Sequence, residues 1–212
     1  MSPRPAPRGG SRVALAFFLS GAAALMYQVA WQRLLFTVVG VDVESVTLVV
    51  STFMCGLGLG ALLGGWLADA WPRRILPAFC LVEAGIGAFG LLSANLILGL
   101  SGLLAGASHA TAAALAFALL LLPTLGMGAT LPMLVADGFR HSGNVGVSTG
   151  SLYFINTVGA ALGACAVGLV LLHWLDLRQV TWCAAGLNFA ASLSVVAIAL
   201  DGSSGRRAAH GG

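Results

Sequence analysis

Glu83 is the only full charge between Ile75 and Ala136, in a stretch that is otherwise almost wholly apolar. A carboxylate in such surroundings either takes part in chemistry or is tied down by partners, because an ionisable group inside a bilayer is costly. Counted from Ile75 at about 1.5 Å per residue, Glu83 lies roughly 12 Å along a helix. Asn156 reaches a similar depth on a later apolar segment. Their common depth predicts that Glu83 faces the interior of a bundle, bonded to Asn156 or beside a cavity. It would serve there as a proton or amine site, or as a structural polar clamp. Tyr27 and Gln28 put an aromatic and an amide deep in the first apolar run and complete the candidate substrate-binding set with Glu83 and Asn156. Trp31 and Arg33, just beyond them, read as an anchor at the membrane interface.

Other strings that could carry chemistry dissolve in context. GLGLG at 56–60 spells part of a phosphate-binding loop, but a dinucleotide fingerprint needs a strand before it and an acidic residue about 20 positions on. No strand pattern precedes it, and Gly56, Gly60 and Gly64 recur every fourth residue, which puts them on one helix face. Small residues at that spacing let two helices approach closely in lipid, and Gly159 and Gly163 make a similar face later in the chain. Gly146-Val-Ser-Thr-Gly150 spells a nucleophile elbow. That motif works only on a strained strand-to-helix turn, whereas here it opens an apolar span, with Ser148 as a helix N-cap. Cys55, Cys80, Cys165 and Cys183 lie inside apolar segments without a CxxC pair or neighbouring histidines, as small buried hydrophobes do. The sequence therefore assigns no catalytic residue, no cofactor and no metal site.

The elements that position these residues follow from composition. The chain is 58% hydrophobic and 8% charged, against about 25% charged in a soluble domain. A net charge of +3, spread over ends and loops, forms no basic stripe for nucleic acid. The partner implied is the lipid bilayer. With about 20 apolar residues needed per crossing, the spans fall at about 13–39, 45–68, 75–97, 110–136, 148–174 and 179–200. The run from Ile75 to Ala136 could hold two or three helices. Arginines favour the cytoplasmic end of a span, and Arg73, Arg74 and Arg140 flank both its ends, so it holds an even number: two. Arg4, Arg8, Arg12, Arg206 and Arg207 join them on that side, while Arg33 and Arg178 lie opposite. The expectation is an all-α integral membrane protein with six transmembrane helices in residues 13–200, and with cytoplasmic tails at 1–12 and 201–212. The first run is too long for a cleaved signal peptide and belongs to the domain. Pro123 and Pro132 should kink the fourth helix and free carbonyls there.

Gly60-Ala-Leu-Leu-Gly64 in the second span is similar to Gly159-Ala-Ala-Leu-Gly163 in the fifth, and Cys80 falls opposite Cys183 after a short insertion. The spacing predicts two three-helix units, inverted relative to each other because each has an odd number of crossings.

The chain also resembles a known family along nearly its whole length, from about 13 to 200. The residues concerned are Phe18-Leu-Ser-Gly-Ala-Ala-Ala-Leu-Met-Tyr-Gln-Val-Ala-Trp-Gln-Arg-Leu-Leu35, Phe53-Met-Cys-Gly-Leu-Gly-Leu-Gly60, Gly65-Trp-Leu-Ala-Asp69 and Met127-Gly-Ala-Thr-Leu-Pro132. Tyr153, Asn156-Thr-Val-Gly-Ala160 and Leu175-Asp-Leu-Arg178 complete the set. They resemble the membrane domain of fused proteins that join a major facilitator superfamily (MFS)-like region to a spermidine synthase-like enzyme. Two departures stand out. The synthase-like domain, an aminopropyltransferase in that family, is expected to be absent here, and position 28 is Gln where the family more often has Glu. Asp69, Arg73 and Arg74 are similar to the charged positions of the cytoplasmic loop of MFS transporters. The resemblance implies that they help hold one conformation, as a gate; charge placement alone makes them a positive-inside anchor. The resemblance further implies a half-MFS-like module of the cytoplasmic (inner) membrane transporting a small polyamine-like solute, perfected by a homodimer. The alternative is a non-catalytic anchor for a separately encoded aminopropyltransferase-like partner.

Overall fold

The computed structural model describes residues 10–40, 42–103, 108–142 and 145–210. The tail before Gly10, with Arg4 and Arg8, lies outside the described residues. The elements in chain order are α1 (Gly10–Val39), α2 (Asp42–Ala70), a 3-10 turn (Pro72–Arg74), α3 (Ile75–Leu103), α4 (His109–Ser142) and α5 (Val145–Ala166). A π-helical turn (Val167–Leu171), a short α6 (Leu172–Trp174) and α7 (Leu177–His210) follow. Six of the resulting segments are long and apolar enough to cross a membrane: Ser11–Val38, Val43–Ala70, Pro72–Leu100, Ala110–Gly138, Gly146–Trp174 and Leu177–Ala197. The described residues are all-helical, with no strand among them, and their six long apolar helices fit a membrane protein. In a bilayer the backbone must satisfy its own polar groups, which these sequences do by remaining helical across each apolar run.

The breaks have local causes. Gly40, at φ 78°, takes the left-handed conformation that closes a helix, and its N–H donates to the Phe36 carbonyl at 2.8 Å. Pro72 has no N–H to continue α2, and the 3-10 turn it opens leads into α3. Ser108 caps α4, its Oγ accepting from Thr111 N–H at 3.2 Å. Asp176 and Gln179 cap α7 reciprocally: Gln179 N–H donates to Asp176 Oδ1 at 2.7 Å and Asp176 N–H to Gln179 Oε1 at 3.0 Å. The run from Ile75 to Ala136 divides into α3 and α4, and α4 passes through Pro123 and Pro132 as one helix. Ser148 does not cap α5, because that helix begins at Val145 and includes it.

α1 is the central helix: half of its spanning window is buried, against 17% for the Gly146–Trp174 span at the edge. α1, α3 and α7 pack together as an inner layer, α2 lies along α4, and α5 lies along α1. Both outer pairings are backbone against backbone. A Cβ added at Gly60 or Gly64 would overlap the carbonyl oxygen of Leu125 or Ala129, and one at Gly128 that of Leu57. On the other pair, a Cβ at Gly159 or Gly163 would overlap the carbonyl oxygen of Phe18 or Ala22, and one at Gly21 that of Asn156. These two sets correspond residue for residue. A shift of 99 carries Leu57, Gly60 and Gly64 onto Asn156, Gly159 and Gly163, and a shift of 107 carries Phe18, Gly21 and Ala22 onto Leu125, Gly128 and Ala129. Gly56 also seats on α4, against Thr124.

Candidate functional site

Two apolar clusters fill the bundle. One gathers Phe17, Ile75, Phe79, Met133, Leu152 and Val195; the other gathers Tyr27, Trp31, Phe53, Ile97, Leu120 and Val180. Ser20, Glu83 and Asn188 sit where the two meet, one each from α1, α3 and α7. Glu83 is fully buried, as are its two partners to within 5% exposure. Ser20 Oγ–H donates to Glu83 Oε1 at 2.6 Å, and Asn188 Nδ2–H donates to Glu83 Oε2 at 2.7 Å. Both donors are neutral. The carboxyl group thus ties three helices together at mid-bundle. One turn along, Ser192 Oγ–H donates to the Cys80 carbonyl at 3.0 Å and Cys80 Sγ to the Ser192 carbonyl at 3.5 Å, a second α3–α7 clasp.

Unsatisfied polar atoms lie in the triad and farther along α1. Asn188 Oδ1, Tyr27 Oη and Trp31 Nε1 are buried without a hydrogen-bond partner. Each is a costly exception to the rule that buried polar groups pair. Tyr27 lies two turns beyond Ser20 on α1, with its hydroxyl against Gly90 of α3, itself two turns beyond Glu83. Its ring stacks on Trp31 at a centroid distance of 4.9 Å, and Trp31 meets Phe53 and Phe89 at 5.9 and 5.8 Å. One interior path between α1, α3 and α7 therefore carries an acid, an amide oxygen, a phenol and an indole N–H.

The structure brings together only part of the sequence-derived set. Glu83 and Tyr27 are on this path. Asn156 is not: its Nδ2–H donates to the Phe17 carbonyl at 3.1 Å, so it fastens α5 to α1 and is not the partner of Glu83. Gln28 is half-buried. Trp31 is corrected from an interfacial anchor to a core residue with no exposed surface, while Arg33 is exposed. Asp69, Arg73 and Arg74 are exposed around the α2–α3 turn. Ser20 and Asn188 were missed, although each is a polar residue in mid-span, the signal that singled out Glu83. Among the described residues no three His, Cys, Asp or Glu side chains gather as metal ligands would.

Set against family models, curated proteins and solved structures, the chain matches none of them.

Proposed function

We propose that the chain is a transport-type module for a small cationic, polyamine-like solute. In this reading it forms a half-MFS-like unit of two inverted three-helix repeats in the cytoplasmic membrane, with both termini on the cytoplasmic side and a second copy completing the pathway. The observation that carries the proposal is Glu83, a carboxyl group buried inside the helix bundle whose hydrogen bonds come from neutral Ser20 and Asn188. A buried acid whose only partners are neutral donors is stable once a proton or an ammonium group neutralises it, so it is suited to exchange one for the other. The unpaired Asn188 Oδ1 and Tyr27 Oη supply further polar contacts on the same path. The residue-for-residue correspondence of α2–α4 and α5–α1 supports the repeat, since exchanging the two halves of the chain maps one pairing onto the other. The resemblance to the MFS-like part of spermidine synthase fusions supplies the polyamine class.

A second reading makes the chain an anchor for a separately encoded aminopropyltransferase-like enzyme. It is favoured by the closure of the Glu83 site, whose two oxygens are already bonded within the bundle. Uptake of radiolabelled putrescine and spermidine into proteoliposomes decides between them. Saturable uptake is expected from the transport reading. No uptake, with co-purification of a soluble synthase, would overturn it in favour of the anchor.

A further inference from the structure

α2 and α4 touch backbone to backbone at Gly56, Gly60 and Gly64, but toward their first turns they leave a cleft of about 590 Å³. One wall is the start of α2, with Glu44, Thr47 and Ser51; the other is the start of α4, where Ala110, Ala113 and Ala114 lead down to Phe117. Glu44, Thr47 and Ser51 are all exposed. Ser51 and Phe117 lie nine and eight residues into their helices, or roughly 12 to 14 Å at about 1.5 Å per residue. That is close to the depth of one leaflet, about half of a 30 Å hydrocarbon core. The cleft thus starts at the interface with a carboxylate and continues down a mainly apolar trough of small side chains.

We infer that this cleft binds a membrane lipid with a primary-amine headgroup, its ammonium on Glu44 and one acyl chain along Ala110, Ala113 and Ala114 to Phe117. A trough open to hydrocarbon is filled by a lipid chain, since its apolar walls offer water few partners. Charge selects the headgroup. No Lys or Arg lines the cleft, so the cation comes from the ligand, and a carboxylate repels an anionic headgroup. An ammonium has three N–H donors for Glu44 and the nearby Thr47 hydroxyl; a quaternary choline has none.

Native mass spectrometry of the full chain tests this with phosphatidylethanolamine, phosphatidylcholine and phosphatidylglycerol of matched acyl chains. Phosphatidylethanolamine is expected to be retained roughly tenfold over phosphatidylglycerol and severalfold over phosphatidylcholine, the scale of one charge-assisted hydrogen bond. Glu44→Gln should remove the preference over phosphatidylcholine, whereas Asp176→Asn, at the α6–α7 corner, should keep it. Ala114→Leu fills the trough and should lower retention of all three lipids. Equal retention of the three by the wild type, a preference that survives Glu44→Gln, or full retention by Ala114→Leu would each overturn the inference. Displacement of the lipid by free ethanolamine alone would do so too, since the acyl chain would then contribute nothing.

Discussion

The α2–α4 pair and the α1–α3–α7 layer solve one problem in opposite ways. Helices in lipid gain little from hydrophobic burial against each other, because lipid tails are as apolar as their side chains. The outer pair answers by removing side chains: Gly56, Gly60, Gly64 and Gly128 bring the backbones together over a long line. The inner layer answers by adding polar ones: Glu83, Ser20 and Asn188 bond across three helices. The first device resists any added volume but is indifferent to charge. The second tolerates a change of volume but not the loss of an acceptor. Strength and chemistry are thus separated, with the outer pairs as frame and the inner layer as the place where an ionisable group is held.

The largest effect expected is from Gly60→Leu, which drives a branched side chain into the Leu125 carbonyl and Gly128. Overpacking of this kind costs about 3 kcal/mol or more, and thermal unfolding in detergent should show a lost or strongly lowered transition. Gly159→Leu, its counterpart against Phe18, should cost about as much; a mild effect there would break the equivalence of the two pairs. Glu83→Ala comes next, at about 2 kcal/mol, because Ser20 and Asn188 each lose a buried acceptor. Glu83→Gln keeps an acceptor for one of them and should cost less than half of that in the same unfolding measurement. Asn156→Ala removes a single bond to the Phe17 carbonyl, worth about 1 kcal/mol. Asp69→Asn, on an exposed turn, should shift stability by less than about 0.5 kcal/mol; a large loss would give that turn a structural role.

Much of the frame was legible in the sequence, because a bilayer demands long apolar runs and the run from Ile75 to Ala136 could be divided by its flanking arginines. The four-residue spacing of Gly56, Gly60 and Gly64 marked a face. It did not name α4 as the helix beneath it, since which helix lies opposite depends on packing and not on period. The site was legible in part for the same reason. Counting residues fixes the depth of a side chain but not its direction around the helix, so Asn156 matched Glu83 in height and yet turned to Phe17. Trp31 failed differently: an indole suits an interfacial belt and a core equally, and only the neighbours Tyr27, Phe53 and Phe89 decide. Ser20 and Asn188 were readable as mid-span polar residues, but lacking charge they did not stand out beside Glu83.

The central claim, that Glu83 serves transport as an ionisable group and not merely assembly, is tested most directly by Glu83→Gln in proteoliposomes. Uptake of radiolabelled spermidine should fall at least about tenfold, the change expected when one charge-assisted contact is lost. Yield, monodispersity and unfolding temperature should stay close to the wild type. Uptake that persists in Glu83→Gln, or that falls only in step with folding, would contradict the claim and leave Glu83 as a structural clamp.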